Sequence, residues 1–270
     1  MSAGLAGRAV AAIGTIAGLL AVSLDLVSSG GSTLRYVDHG AVAAFLFILL
    51  SLASYLPAEV GLDTAGAAAG TAAFGYFLFA PGAFAFSNLG ALHAAGWLGV
   101  GTVLIPVGWA IVRAVERHPA GEPAPPTAPS PAVRPADPLL VVAFAGLILI
   151  AAGIWLPAIS GSASYWNGSF SGHALGLLMA LAVVANVATL AATLAIRIAI
   201  SPDLRLLVAA GTFGLVEVTF VQSAFNHLGS LGSGGWLEAT GGLLLIGGVV
   251  AMRVGAARSV PAPSVVAVAP

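Results

Sequence analysis

The sequence predicts an all-α, polytopic integral membrane protein with about eight transmembrane helices arranged as two parallel four-helix repeats. Three observations predict it. Of 270 residues, 59% are hydrophobic and only 7% are charged, with a mean hydropathy of +1.03; a soluble domain carries roughly a quarter charged residues. Apolar runs of membrane-spanning length recur along the chain, and a segment of its first half returns in its second.

A bilayer core takes about 20 apolar residues per helix. Such runs lie near 9–27, 39–57, 64–84, 91–113, 138–158, 174–199, 204–226 and 237–254. The first follows Arg8 and so has the charge order of a signal peptide, but Asp25 to Gly31 offer no clear small-x-small cleavage site. It reads as the first spanning helix.

Arginine placement fixes the expected orientation, because cytoplasmic loops collect basic residues. Arg8, Arg113, Arg117, Arg134, Arg197, Arg205, Arg253 and Arg258 fall on one side of this arrangement and only Arg35 on the other. Both termini are therefore expected in the cytoplasm. Residues 114–136 hold the tract from Gly121 to Pro131, whose prolines forbid a continuous helix and favour an extended connector. The expected organisation is a first membrane repeat over 1–113, a cytoplasmic linker over 114–136, a second repeat over 137–258 and a disordered tail over 259–270.

The repeat is visible in residues Ala85–Leu98 and Ala224–Leu237, which share eight identities in fourteen positions, including Phe86 with Phe225 and Trp97 with Trp236. Extended without a gap, the alignment pairs Phe74-Gly75 with Phe213-Gly214, Leu104 with Leu243 and Gly108 with Gly247. Four helices per copy is an even number, so the copies enter the membrane in the same direction and are related by an axis along its normal. Gly14 with Gly18 and Gly66 with Gly70 are small-xxx-small faces suited to close helix packing. Pro81 and Pro106 are expected to kink the third and fourth helices.

Two constellations can carry chemistry. Glu217 lies near the middle of the seventh helix, where a charge costs roughly 3 kcal/mol, and Leu78 stands at the equivalent position of the first copy. The fold therefore does not demand the acid. With Asn186 as hydrogen-bonding neighbour on the sixth helix, Glu217 forms a candidate proton- or ion-binding point; the alternative is a structural hydrogen bond between helices.

His39, His93, His173 and His227 all map to the extracytoplasmic helix ends, a candidate haem or divalent-metal layer to which Asp25, Asp38, Asn88, Asn226 and Glu238 can add oxygens. No His-x-x-x-His spacing supports this, and interfacial histidines are ordinarily polar caps; the cofactor is left unknown. Trp97, Trp155, Trp166 and Trp236 lie near the same boundary and are expected to anchor the helices at the interface.

The chain has no cysteine, and none of its nine basic residues is lysine, which excludes thiolate chemistry and a lysine Schiff base. With a net charge of −1 and no basic tract it has no nucleic-acid footprint. No nucleophile elbow or P-loop is present, so an enzyme is not expected. The expected function is transport or channel activity for a small solute or ion between two pseudo-symmetric halves. The alternatives are a haem- or metal-binding redox subunit and a noncatalytic subunit of a membrane complex. The expected partners are the lipid bilayer and other membrane subunits or further copies of the chain. Its Ala-, Gly- and Arg-rich usage suggests a bacterial inner-membrane protein.

Overall fold

In the computed structural model, residues 3–29, 32–35, 41–56, 61–84, 90, 92–117, 138–161, 164–166, 170–195, 200–226 and 228–258 are described. Nine α-helices appear among them: α1 (Ala3–Ser23), α2 (Ala41–Ser51), α3 (Asp63–Phe84), α4 (Ala94–Val100), α5 (Leu104–Arg117), α6 (Pro138–Gly153), α7 (Phe170–Ala195), α8 (Pro202–Asn226) and α9 (Ser233–Arg258). A two-stranded antiparallel hairpin, β1 (Asp25–Ser29) and β2 (Ser32–Arg35), follows α1 and sets Asp25 opposite Arg35.

Each of the eight apolar stretches thus contains helix, but five segments are long and apolar enough to cross a membrane: Gly4–Ser23, Ala94–Glu116, His173–Ala192, Pro202–Val221 and Ser233–Gly255. Val42–Tyr55 and Pro138–Gly153 are apolar but shorter. α3 owes its modest hydropathy to Ala and Gly. It is enclosed by α2, α5, α7 and α8, so small side chains that permit close packing serve it better than large greasy ones. The outer faces of the other helices are aliphatic, with Ile148 68% and Val184 62% exposed. Hydrating such a side chain instead of burying it costs about 1.5–3 kcal/mol, so these faces suit lipid.

Several sequence expectations are corrected in detail. The first helix occupies 3–23 and not 9–27, because Asp25 to Ser29 pair as a strand. Pro106 does not kink a continuous fourth helix. The helix breaks before it, passing through a 3-10 turn at Gly101–Val103, and Pro106 sits in the first turn of α5 where its missing N–H costs least. Pro81 does lie inside α3. α5 runs to Arg117, into the stretch 114–136 expected as a linker; residues 118–137 and 259–270 lie outside the described residues.

α3 and α8 cross at two glycines. A Cβ on Gly75 would strike the carbonyl oxygen of Gly211, and one on Gly214 would strike the carbonyl oxygen of Ala72. Only a bare Cα allows this approach, which also brings Cα–H groups to carbonyl oxygens. The two helices run in the same direction: Ala68 and Ala72 cluster with Leu206, Ala209 and Ala210, and further along Tyr76 and Phe77 cluster with Val218.

Two further contacts occur twice. Gly108 on α5 packs against the carbonyl of Gly7 and against Ala11 on α1, while Gly248 on α9 packs against the carbonyl of Leu139 and against Ala143 on α6. A Cβ on Gly247, which the gapless alignment pairs with Gly108, would meet nothing within 4 Å. The one-residue difference follows the 3-10 turn before α5, which has no counterpart in α9.

Asp63, in the first turn of α3, and Arg113 of α5 are 3.0 Å apart; Asp203, in the first turn of α8, and Arg253 of α9 are 2.9 Å apart. In both pairs the arginine lies 50 residues after the aspartate. Trp109 Nε1 also donates to Asp63 Oδ2 at 2.9 Å, which draws the carboxylate inward; the Arg113 Nε–H is not aimed well enough to count as a hydrogen bond, whereas that of Arg253 is.

Gly75→Ala and Gly214→Ala should each lower stability by about 1–3 kcal/mol by overpacking the crossing, while Gly247→Ala should be neutral, as read by thermal unfolding in detergent. By the same measurement Asp63→Ala, which strips a buried carboxylate from Trp109 and Arg113, should cost about 3–5 kcal/mol. Asp203→Ala, at a wetter pair, should cost about 1 kcal/mol.

Candidate functional site

The helix ends that carry Arg113, Arg205 and Arg253 define one end of the bundle. From there a cavity of about 360 Å³ runs between α2 and α3 on one side and α8 and α9 on the other. Its wall on α8 is the row Leu206, Ala210, Phe213, spaced four and three residues apart and so on one helix face, about 10 Å long at 1.5 Å per residue. Alanines of α3 form the opposite wall, and the lining is apolar apart from Arg253. At the inner end the Phe47 and Phe213 rings meet edge to face, 6.1 Å between centroids.

Glu217 is the next residue on that row, four beyond Phe213. It is 6% exposed, and its Oε1 has no hydrogen-bond partner among the described residues. A Cβ on Gly242 of α9 would sit 3.2 Å from Glu217 Oε1 and 3.3 Å from the edge of the Phe213 ring. The carboxyl therefore lies directly behind the aromatic end of the cavity, against a stretch of α9 that glycine keeps open.

Asn186 is fully buried, as a polar residue at that depth must be if it is bonded, but it does not join Glu217. Its Nδ2 donates to Thr212 Oγ1 at 2.7 Å and to the Ala182 carbonyl at 2.8 Å. Thr212 lies on the α7-facing side of α8, away from the row that carries Glu217. The expected pair is thus replaced by a local α7–α8 bridge, and Glu217 stands apart from it.

A second acid, Glu238, read from the sequence as part of the outer polar layer, is also completely buried. Tyr165 donates to its Oε2 at 3.4 Å and lies 3.3 Å from Thr219 Oγ1, while Glu238 Oε1 has no partner among the described residues. Burial, reinforced by the adjacent Glu238, pushes the Tyr165 phenol far above its usual range. Glu238 packs against Gly153 of α6 and belongs to the interior of α6–α9, across the α8–α9 contact from the cavity.

The histidines are only partly described. His39 and His227 lie outside the described residues. His93 occupies the N-cap of α4 without a side-chain capping bond, and His173 Nε2 lies 2.6 Å from the Trp166 carbonyl. Among the described residues no group of three or more His, Cys, Asp or Glu could hold a metal ion. Trp155 and Trp166 stack at 5.3 Å, Trp236 meets Phe220 edge to face, and Trp97, Trp155 and Trp236 are about half exposed or more.

If the Asn186–Thr212 bridge is structural, Asn186→Leu should lower thermal stability by about 1–3 kcal/mol by orphaning its partner. Adding Thr212→Val should recover part of that loss, a non-additivity that a double-mutant cycle measures.

No known family model, curated protein or solved structure matches this chain.

Proposed function

We propose that this chain is a membrane transport protein that moves a small solute or ion along a pathway between two pseudo-symmetric four-helix halves. The observation that carries the reading is the cavity between α2/α3 and α8/α9, whose α8 row ends on a buried, unpartnered Glu217. A carboxyl held inside a membrane at a cost of several kcal/mol marks a pathway or a relay more often than it serves packing.

Three features support the two-halves part of the proposal. The α3–α8 crossing exchanges equivalent contacts, Gly75 on Gly211 and Gly214 on Ala72. The Gly108 and Gly248 contacts repeat the same seat on α1 and α6. The Asp63–Arg113 and Asp203–Arg253 pairs occupy the same helix ends. In this reading α1, α2, α3 and α4/α5 correspond to α6, α7, α8 and α9, with eight crossings in all and the cavity beside the axis. The arginine-bearing end faces the cytoplasm of a bacterial inner membrane, and the exposed tryptophans anchor the opposite interface.

The test is a flux measurement in liposomes reconstituted with purified protein under an imposed pH gradient, across a panel of cationic, anionic and neutral small solutes. Wild-type protein should move at least one class, and Glu217→Gln should slow that flux about ten-fold or more with thermal stability unchanged. Flux that persists unaltered in Glu217→Gln, or the absence of flux for every class, would overturn the reading.

A further inference from the structure

The chemistry of the cavity specifies what it would hold, and we infer that it is a binding site for a lipophilic organic cation: one positive charge on an apolar, ring-bearing body, with Glu217 as counter-ion. As a statement about transport this rests on the function proposed above; as a statement about binding it stands on the cavity alone.

The body of the ligand follows from the lining. Alanines of α3, the aliphatic side chains of Leu206 and Ile246 and the rings of Phe47 and Phe213 give an apolar volume of about 360 Å³ with almost no hydrogen-bonding capacity. A polar solute would lose its hydration there and gain nothing in return.

The charge follows from what is and is not compensated. Arg253 is the cationic group in the wall, and its Nε–H is committed to Asp203 at 2.9 Å. That pair is neutral as a unit. Glu217 has an oxygen with no partner and no cation near it among the described residues. On α8 the nearest arginine, Arg205, is twelve residues away, about 18 Å along the helix, and Arg253 lies eleven residues beyond Gly242 on α9, about 16 Å. A buried carboxyl without a counter-charge attracts a cation and repels an anion.

Access and selectivity follow from the two phenylalanines. Phe213 separates the cavity from Glu217, its ring edge and Glu217 Oε1 touching the same Gly242. Rotation of this ring would open the cavity toward Glu217, and its π face, with that of Phe47, would attract a cation on the way. An inorganic cation is disfavoured by the same geometry, since the apolar walls supply no oxygens to replace its hydration shell and the described residues form no metal-ligand group.

The decisive comparison uses two ions of nearly the same shape and opposite charge, tetraphenylphosphonium and tetraphenylborate, in equilibrium binding to detergent-purified protein with protein-free micelles subtracted. The phosphonium should bind at least ten-fold tighter than the borate. Glu217→Gln should weaken phosphonium binding ten-fold or more and leave borate within two-fold. Ala210→Leu, which fills the cavity, should weaken the phosphonium without touching the acid. Borate binding as tightly as phosphonium, or phosphonium binding unchanged in Glu217→Gln, would overturn the inference; if that variant fails to fold, the two-ion comparison on the wild-type protein decides. Glu217-dependent binding without flux would keep the site and remove the transport reading, whereas Glu217-dependent flux of another solute without phosphonium binding would do the reverse.

Discussion

The architecture depends on the close crossing of α3 and α8. Two long helices approach until carbonyl oxygens rest on bare Cα atoms, at Gly75 against Gly211 and at Gly214 against Ala72. In a membrane no hydrophobic force drives helices together, because lipid is as apolar as leucine; contact must come from packing and from small residues that let backbones meet. The crossing joins the N-terminal and C-terminal helices at the centre of the bundle. The cavity lies on the N-terminal side of the crossing, lined by α3 and α8 together with α2 and α9.

Charge is distributed around that centre in a consistent way. Asp63 and Asp203 sit in the first turns of their helices, where the macrodipole favours an acid, and each is neutralised by an arginine from the last turns of a neighbouring helix. These pairs tie α3 to α5 and α8 to α9 at one end of the bundle and leave no net charge in the apolar zone. Glu238 is partly satisfied by Tyr165. Among the described acids Glu217 alone combines burial with the absence of a side-chain hydrogen bond, and it continues the helix row that lines the cavity. A carboxyl in that state differs from the paired aspartates, each of which already has an arginine beside it.

Much of this was legible in the chain because membrane helices declare themselves locally. Composition and run length located every described helix. The Asp63–Arg113 and Asp203–Arg253 pairs were also within reach, since both span 50 residues, but they align at an offset of 140 and the Phe74–Phe213 match at 139. A gapless comparison passes over them. The Asn186–Glu217 pairing failed for a geometric reason: depth in the bilayer says how far along a helix a residue lies, not which way it faces. Thr212 and Glu217 are five residues apart and point to different sides of α8, one toward α7 and the other toward Gly242 of α9.

The sequence by itself determined the solvent of the protein, the places where helices form and the identity of Glu217 as the uncomfortable residue, because hydropathy and insertion cost are properties of single segments. Tertiary structure decided the rest. Which glycines carry the central crossing, that Gly108 packs on α1 and Gly248 on α6, that Glu238 is buried against Tyr165, and that Leu206, Ala210 and Phe213 line a cavity with Glu217 behind it all depend on contacts between segments far apart in the chain. Such contacts are set by helix rotation and crossing angle, which no single segment of the sequence specifies.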